Sequence, residues 1–209
     1  MFNKGDLSAG RIAIEVFSII FAVSIGFAIT EWREERAQQE RAEAALKSIA
    51  KEISRNHLEL SRRLLYYETI ANTMDSLANI HGDVAFDASD VPGWQGLSPP
   101  LPRSASFDIS AATGALSYVE FRKVDGIARA YEMQDVLQRT VSNAMESFLA
   151  GDMKTYRPWQ RTFILFLELG RLTSQAYSTA GQFSLNEYGY AHPDSVKNMN
   201  QNSNSSDSE

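Results

Sequence analysis

The chain contains no cysteine, which excludes disulfides, thiolate catalysis and cysteine-ligated zinc or iron, and fits a reducing or an oxidising compartment equally well. Positive charge is also in deficit. With a formal net charge of -6 and a pI near 5.2, the chain lacks the concentrated basic surface that a phosphate backbone requires, so no nucleic-acid partner is expected. Histidine is scarce: His57, His81 and His192 are scattered, without the i, i+4 pairing of a helical metal site, and no metal ligand set is assigned. His81 with Asp83, Asp87 and Asp90 offers donors for a hard cation, but the spacing matches no calcium loop, and a solvated acidic loop is the plainer reading. A glycine-rich phosphate cradle, a GxSxG elbow and the kinase motif set are missing too, and the dispersed carboxylates nominate no general acid and base. No catalytic residue and no cofactor is assigned, and the sequence is not read as that of an enzyme.

What is present is apolar and helical. The 209 residues suffice for one domain beside a membrane anchor. Residues 12–30 read IAIEVFSIIFAVSIGFAIT, and as a helix they span roughly 28 Å, about the hydrocarbon thickness of a bilayer. Glu15 is the one ionisable group in this run. It is placed in the first helical turn, where the helix dipole favours an anion; the competing reading is an intramembrane acid. Trp32 follows as an interfacial anchor. Ser18, Ala22, Gly26 and Thr30 recur every fourth residue and share a stripe along which a second membrane helix could approach closely. A cleavable signal peptide, with Gly26 and Ala28 before the cleavage site, is the alternative to a permanent span.

Neither proline nor glycine occurs between Glu31 and Ile80, so the membrane helix is predicted to continue outward. Residues 31–45 are highly charged and read as a solvated helical stalk. Three-and-four spacing then selects Leu46, Ala50, Ile53, His57, Leu60, Leu64, Tyr67, Ala71, Met74 and Ala78 as a coiled-coil-like packing seam. Residues 81–106, with Gly82, Pro92, Gly93, Gly96, Pro99, Pro100 and Pro102, form a long loop, on which Phe86 and Trp94 are candidate partner contacts or pins that fold back onto the bundle. Ser106 or Asp108 is predicted to cap a short helix ending near Gly114. A further helix is predicted over 118–149 through Val124, Ile127, Tyr131, Val141, Met145 and Phe148, and another over 156–182 through Trp159, Phe163, Phe166, Leu169, Thr173 and Tyr177. From residue 192 the asparagine- and serine-rich chain is predicted to be a disordered tail. The expected fold is all-α: an N-terminal transmembrane helix continuing into a long helix, packed with two further long helices as an antiparallel bundle over 46–191.

The junction AITEWREER over 28–36, with TGAL over 113–116 and AYEMQ over 130–134, resembles a family of small bacterial single-pass membrane proteins known only as a domain of unknown function. The resemblance spans most of the chain. It implies a bacterial inner membrane and this architecture, and it carries no catalytic residues. Members often begin with a strongly basic tail that exports the following domain to the periplasm. Here only Lys4 and Arg11 precede the span, whereas Arg33, Arg36, Arg41 and Lys47 follow it, and counting basic residues alone favours a cytoplasmic domain. The periplasmic placement is the one the resemblance implies.

Two functions are compatible with these features. In the first, the chain is a membrane-anchored interaction or scaffold protein whose stripe and bundle surface meet a second copy or another membrane protein, with the lipid bilayer as its constant partner. In the second, it is an accessory ligand-sensing domain with a pocket at His57, Tyr67 and Tyr131, acting through a partner membrane protein. A cavity in the bundle would favour sensing; a filled core would favour association.

Overall fold

A computed structural model describes residues 4–194. Among these residues the chain is helical without a β-strand, and its helices pack together as an all-α fold. The first helix, α1, runs without interruption over Lys4–His81, 78 residues, as the absence of glycine and proline after Glu31 dictates. Its start at Lys4 places Glu15 about three turns inside the helix rather than in its first turn. The dipole argument for that carboxylate therefore does not apply.

Every residue from Gly10 to Arg36 is exposed, and within α1 lies the one described helix long and apolar enough to cross a membrane. Bundle contact begins lower than expected. Ala42, inside the predicted stalk, is already buried, and nine of the ten seam positions are buried, with Leu64 half-buried.

From His81 the chain turns back. Ala85 bridges to Thr155, a short 3-10 turn occupies Ala88–Asp90, and an extended strap then follows α1 in the reverse direction. Helix α2 spans Ala105–Ala112, starting two residues before a cap at Ser106 would set and four before one at Asp108 would. Ser104 precedes it and donates to Asp108 Oδ2 at 2.7 Å. Gly114, at φ +70°, makes the left-handed turn out of α2 that a residue with a Cβ would resist. The predicted helix over 118–149 starts later, because Ala115–Tyr118 close into a 3-10 turn first; α3 is Phe121–Leu149. Helix α4 spans Tyr156–Ala180 and widens into a π turn over Gly181–Leu185.

The register of the helices can be read from their side-chain bonds. Across α1 and α4, Asp75 meets Gln160, Glu68 meets Arg171 and His57 meets Ser174. Positions that rise along one helix fall along the other. Between α1 and α3 the order is shared, since Glu52 meets Tyr131 and Asn56 meets Gln134. Two helices of the same sense need a long return, and the strap over 97–104 supplies it.

The core has a lower and an upper part. Near the apolar segment of α1, Leu46, Ile49, Ile53, Ile127, Tyr177 and Leu185 pack together. Further out, Tyr67, Ile70, Met74, Trp159, Phe163 and Phe166 form an aromatic-rich cluster. Burying each large side chain contributes about 1.5–3 kcal/mol, and well-placed ring pairs add about 0.5–1.5 kcal/mol.

Candidate functional site

The small-residue stripe is bare. Ser18, Ala22, Gly26 and Thr30 are all exposed, and nothing lies within 4 Å of where a Cβ on Gly26 would stand. Thr30 Oγ1 returns its proton to the Gly26 carbonyl at 2.9 Å, which satisfies the hydroxyl without a partner helix. Trp32 is 59% exposed, with the Arg36 guanidinium 5.8 Å from its ring centroid.

Phe86 and Trp94 are half-buried and turn inward. Their rings lie 5.2 Å apart; Phe86 stands 5.0 Å from Trp159, and Trp94 stands 5.1 Å from it. The indole of Trp159 donates to the Met153 carbonyl at 2.9 Å, fixing the ring on which both loop residues rest. The nearby acids are likewise engaged. Asp87 accepts from Ser89, Asp90 accepts from the Tyr156 hydroxyl at 2.6 Å, and Asp83 lies 3.6 Å from Arg157. Among the described residues no group of three or more His, Asp or Glu side chains is arranged to hold a metal ion.

His57, Tyr67 and Tyr131 do not converge on one space. Tyr67 belongs to the upper cluster, packed on Phe163 and Phe166, and its hydroxyl donates to the Ser98 carbonyl at 3.1 Å. Tyr131 stacks on Phe107 at 4.5 Å and donates to Glu52 Oε1 at 2.6 Å. His57 Nδ1 faces the Tyr190 hydroxyl at 2.6 Å, and Nε2 faces Ser174 Oγ at 2.9 Å. His192, expected to open a disordered tail, sits edge-on against His57 at 5.1 Å, and Pro193 is buried. The rest of that expected tail, 195–209, lies outside the described residues.

These contacts form part of a polar seam that sequence reasoning missed. Asn56 grips the strap backbone at both ends of one residue: its Nδ2 donates to the Arg103 carbonyl at 2.7 Å, and its Oδ1 accepts from the Arg103 amide at 3.0 Å. Gln134 Oε1 accepts from Asn56 Nδ2 at 3.1 Å and from the Tyr177 hydroxyl at 2.6 Å. Glu52 Oε2 accepts from the Ser106 amide at 2.9 Å, and Gln138 donates to the Pro102 carbonyl at 3.1 Å. Pro99, Pro100 and Pro102 bring no N–H groups, so much of the strap presents acceptors only, which tyrosine, asparagine and glutamine donors of α1 and α3 can satisfy. No fully buried side-chain nitrogen or oxygen among the described residues lacks a partner.

Burial sets the titration of this seam. The Tyr131 and Tyr177 phenols are pushed above their ordinary range by burial, Tyr131 additionally by its bond to Glu52. Tyr190 is raised to about 12 by burial. The His57 imidazole is lowered to about 4 by burial and then by the charge of His192, with Asp194 opposing. At neutral pH the seam therefore contains neutral tyrosines and a neutral imidazole, which suits structural hydrogen bonding. A polar residue recurring on an apolar helix face, as Asn56 does between Ile53 and Leu60, is the one signal that could have pointed to it.

In comparisons with known proteins, no family model, no curated protein and no solved structure matches this chain.

Proposed function

We propose that this chain is a membrane-anchored, non-enzymatic scaffold: residues 12–30 cross a bacterial inner membrane, and an antiparallel helical bundle is held on the periplasmic side, as the resemblance at the AITEWREER junction implies. It associates with a second copy or another membrane protein through Ser18, Ala22, Gly26 and Thr30 and through the bundle surface. One observation carries the reading: the uninterrupted α1 joins a bare small-residue stripe to a bundle whose buried side-chain polar atoms, among the described residues, all have partners. Close approach in the bilayer would position the whole bundle, because no hinge separates the two parts. Sensing is the weaker reading, since His57, Tyr67 and Tyr131 already have protein partners and lie in different parts of the core.

The test is crosslinking in native membranes followed by affinity purification and mass spectrometry, comparing wild type with Gly26→Leu. Nothing in the chain obstructs a side chain at Gly26, so the substitution leaves the monomer intact and reads association alone. A specific partner captured by the wild type and lost in the variant supports the scaffold. Monomer alone from both would refute association through this stripe.

A further inference from the structure

We propose that the lower end of the bundle docks on the headgroup surface of the same membrane that α1 crosses, with Tyr118 and Phe121 as the inserting side chains; this rests on residues 12–30 being a span. Phe121 is 79% exposed and Tyr118 is 54% exposed, although both sit at the corner where the 3-10 turn enters α3. Phe183 on the π turn, 78% exposed, extends the same end. Large apolar side chains left in water by separate elements at one end of a fold mark a contact surface.

The identity of the surface follows from height. Tyr118, Glu120 and Lys123 border a shallow cleft with Gln39, Ala42 and Glu43 of α1. Gln39 stands seven residues beyond the interfacial Trp32, about 10 Å along the helix axis. A single helix with its side chains is about 10–12 Å across, so a folded partner has no room between the bundle and the membrane, whereas the headgroup layer, about 5–8 Å deep on each face, takes up much of that space. Tyrosine and phenylalanine suit that layer, Tyr118 keeping its hydroxyl at the polar level. Charge does not drive the contact. Arg122 and Lys123 are offset by Glu120 and Glu187, the latter 3.3 Å from Lys123 Nζ, so apolar insertion supplies the attraction.

The absence of native cysteine permits a direct depth measurement on the full-length chain. Single variants Ser117→Cys, Val23→Cys and Leu149→Cys are nitroxide-labelled in phosphatidylcholine vesicles, and collision with oxygen is compared with collision with a water-soluble nickel chelate. Ser117 is exposed beside Tyr118, and Leu149 is exposed at the opposite end of α3. The label at Val23 should be oxygen-rich, that at Leu149 nickel-accessible, and that at Ser117 shielded from nickel several-fold relative to Leu149. Adding Tyr118→Ser and Phe121→Ser should return Ser117 to the Leu149 level. Equal nickel access at Ser117 and Leu149, with Val23 in lipid, overturns docking and leaves the anchor standing. A nickel-accessible Val23 overturns the anchor and docking together. Shielding at Ser117 that vanishes on diluting the protein in lipid assigns the surface to a second protein and also overturns the proposal.

Discussion

Truncating Asn56 to alanine isolates the grip of the bundle on its strap. The change deletes two bonds to the Arg103 backbone and one to Gln134. The acceptors are partly covered afterwards, because the Arg103 carbonyl retains Gln134 Nε2 at 3.3 Å and Gln134 Oε1 retains the Tyr177 hydroxyl. The Arg103 amide loses its acceptor. An orphaned donor costs about 1–3 kcal/mol and the lost bonds add about 1 kcal/mol, so Asn56→Ala should destabilise by about 2–4 kcal/mol. For a chain of this size that lowers Tm by about 5–12 °C, read by circular dichroism of the full chain in mild detergent. Hydrogen exchange should locate the effect: the Arg103 and Ser106 amides exchange faster, while amides across the α1–α4 contact keep their protection. Asn56→Asp sharpens the test. It restores an acceptor for Arg103 but turns a carboxylate oxygen toward the Arg103 carbonyl and Gln134 Oε1, so it should be unstable at neutral pH and recover as pH falls and the acid is protonated. A fall in Tm below about 2 °C for Asn56→Ala, under about 1 kcal/mol, would refute the assignment of the strap to this clamp.

The other predictions concern the packing of the C-terminal segment on α1. His57 is held at a pKa of about 4 in the fold against 6.5 for the free side chain; as pH falls below 6.5 the unfolded chain takes up the proton first, so stability present above 6.5 is lost progressively toward pH 4. His57→Gln should flatten that part of the stability profile, and an unchanged slope would show that His57 does not contribute to it. Gly181→Ala would place a methyl group into the ring of Tyr190, displacing the hydroxyl that faces His57 and costing about 1–3 kcal/mol. The Ala191 amide, bonded to Ser54 Oγ at 2.9 Å, should then exchange faster; an unchanged rate would mean that Tyr190 does not hold this segment in place.

Much of the helical layout was legible because it depends on local rules. A run from Glu31 to Ile80 without glycine or proline has no alternative to continuous helix, and its three-and-four spacing named the buried face. Gly114 and Gly151, both at positive φ, end α2 and α3 where expected. The start of α3 was placed too early because the residues of the 3-10 turn over Ala115–Tyr118 suit a helix equally well. The polar seam was not legible. Asn56 reaches a backbone 47 residues away and Glu52 a phenol 79 residues away, and neither distance leaves a periodic trace. In sequence Glu52 looks like the solvated edge of an amphipathic helix and Asn56 like a lone polar residue on its apolar face; only the strap lying over them shows what they bind. The bare stripe was legible as a pattern of small residues at every fourth position.

The continuity of α1 makes the protein a lever. From Thr30 to His81 the helix extends about 76 Å, so in the proposed membrane arrangement a change of about 10° in the tilt of the span would sweep the far end of the bundle sideways by about 13 Å. A rotation of the span about its own axis would likewise turn the entire bundle by the same angle. Whatever packs against the stripe would therefore set where the aromatic-rich end points, with no change in the bundle itself.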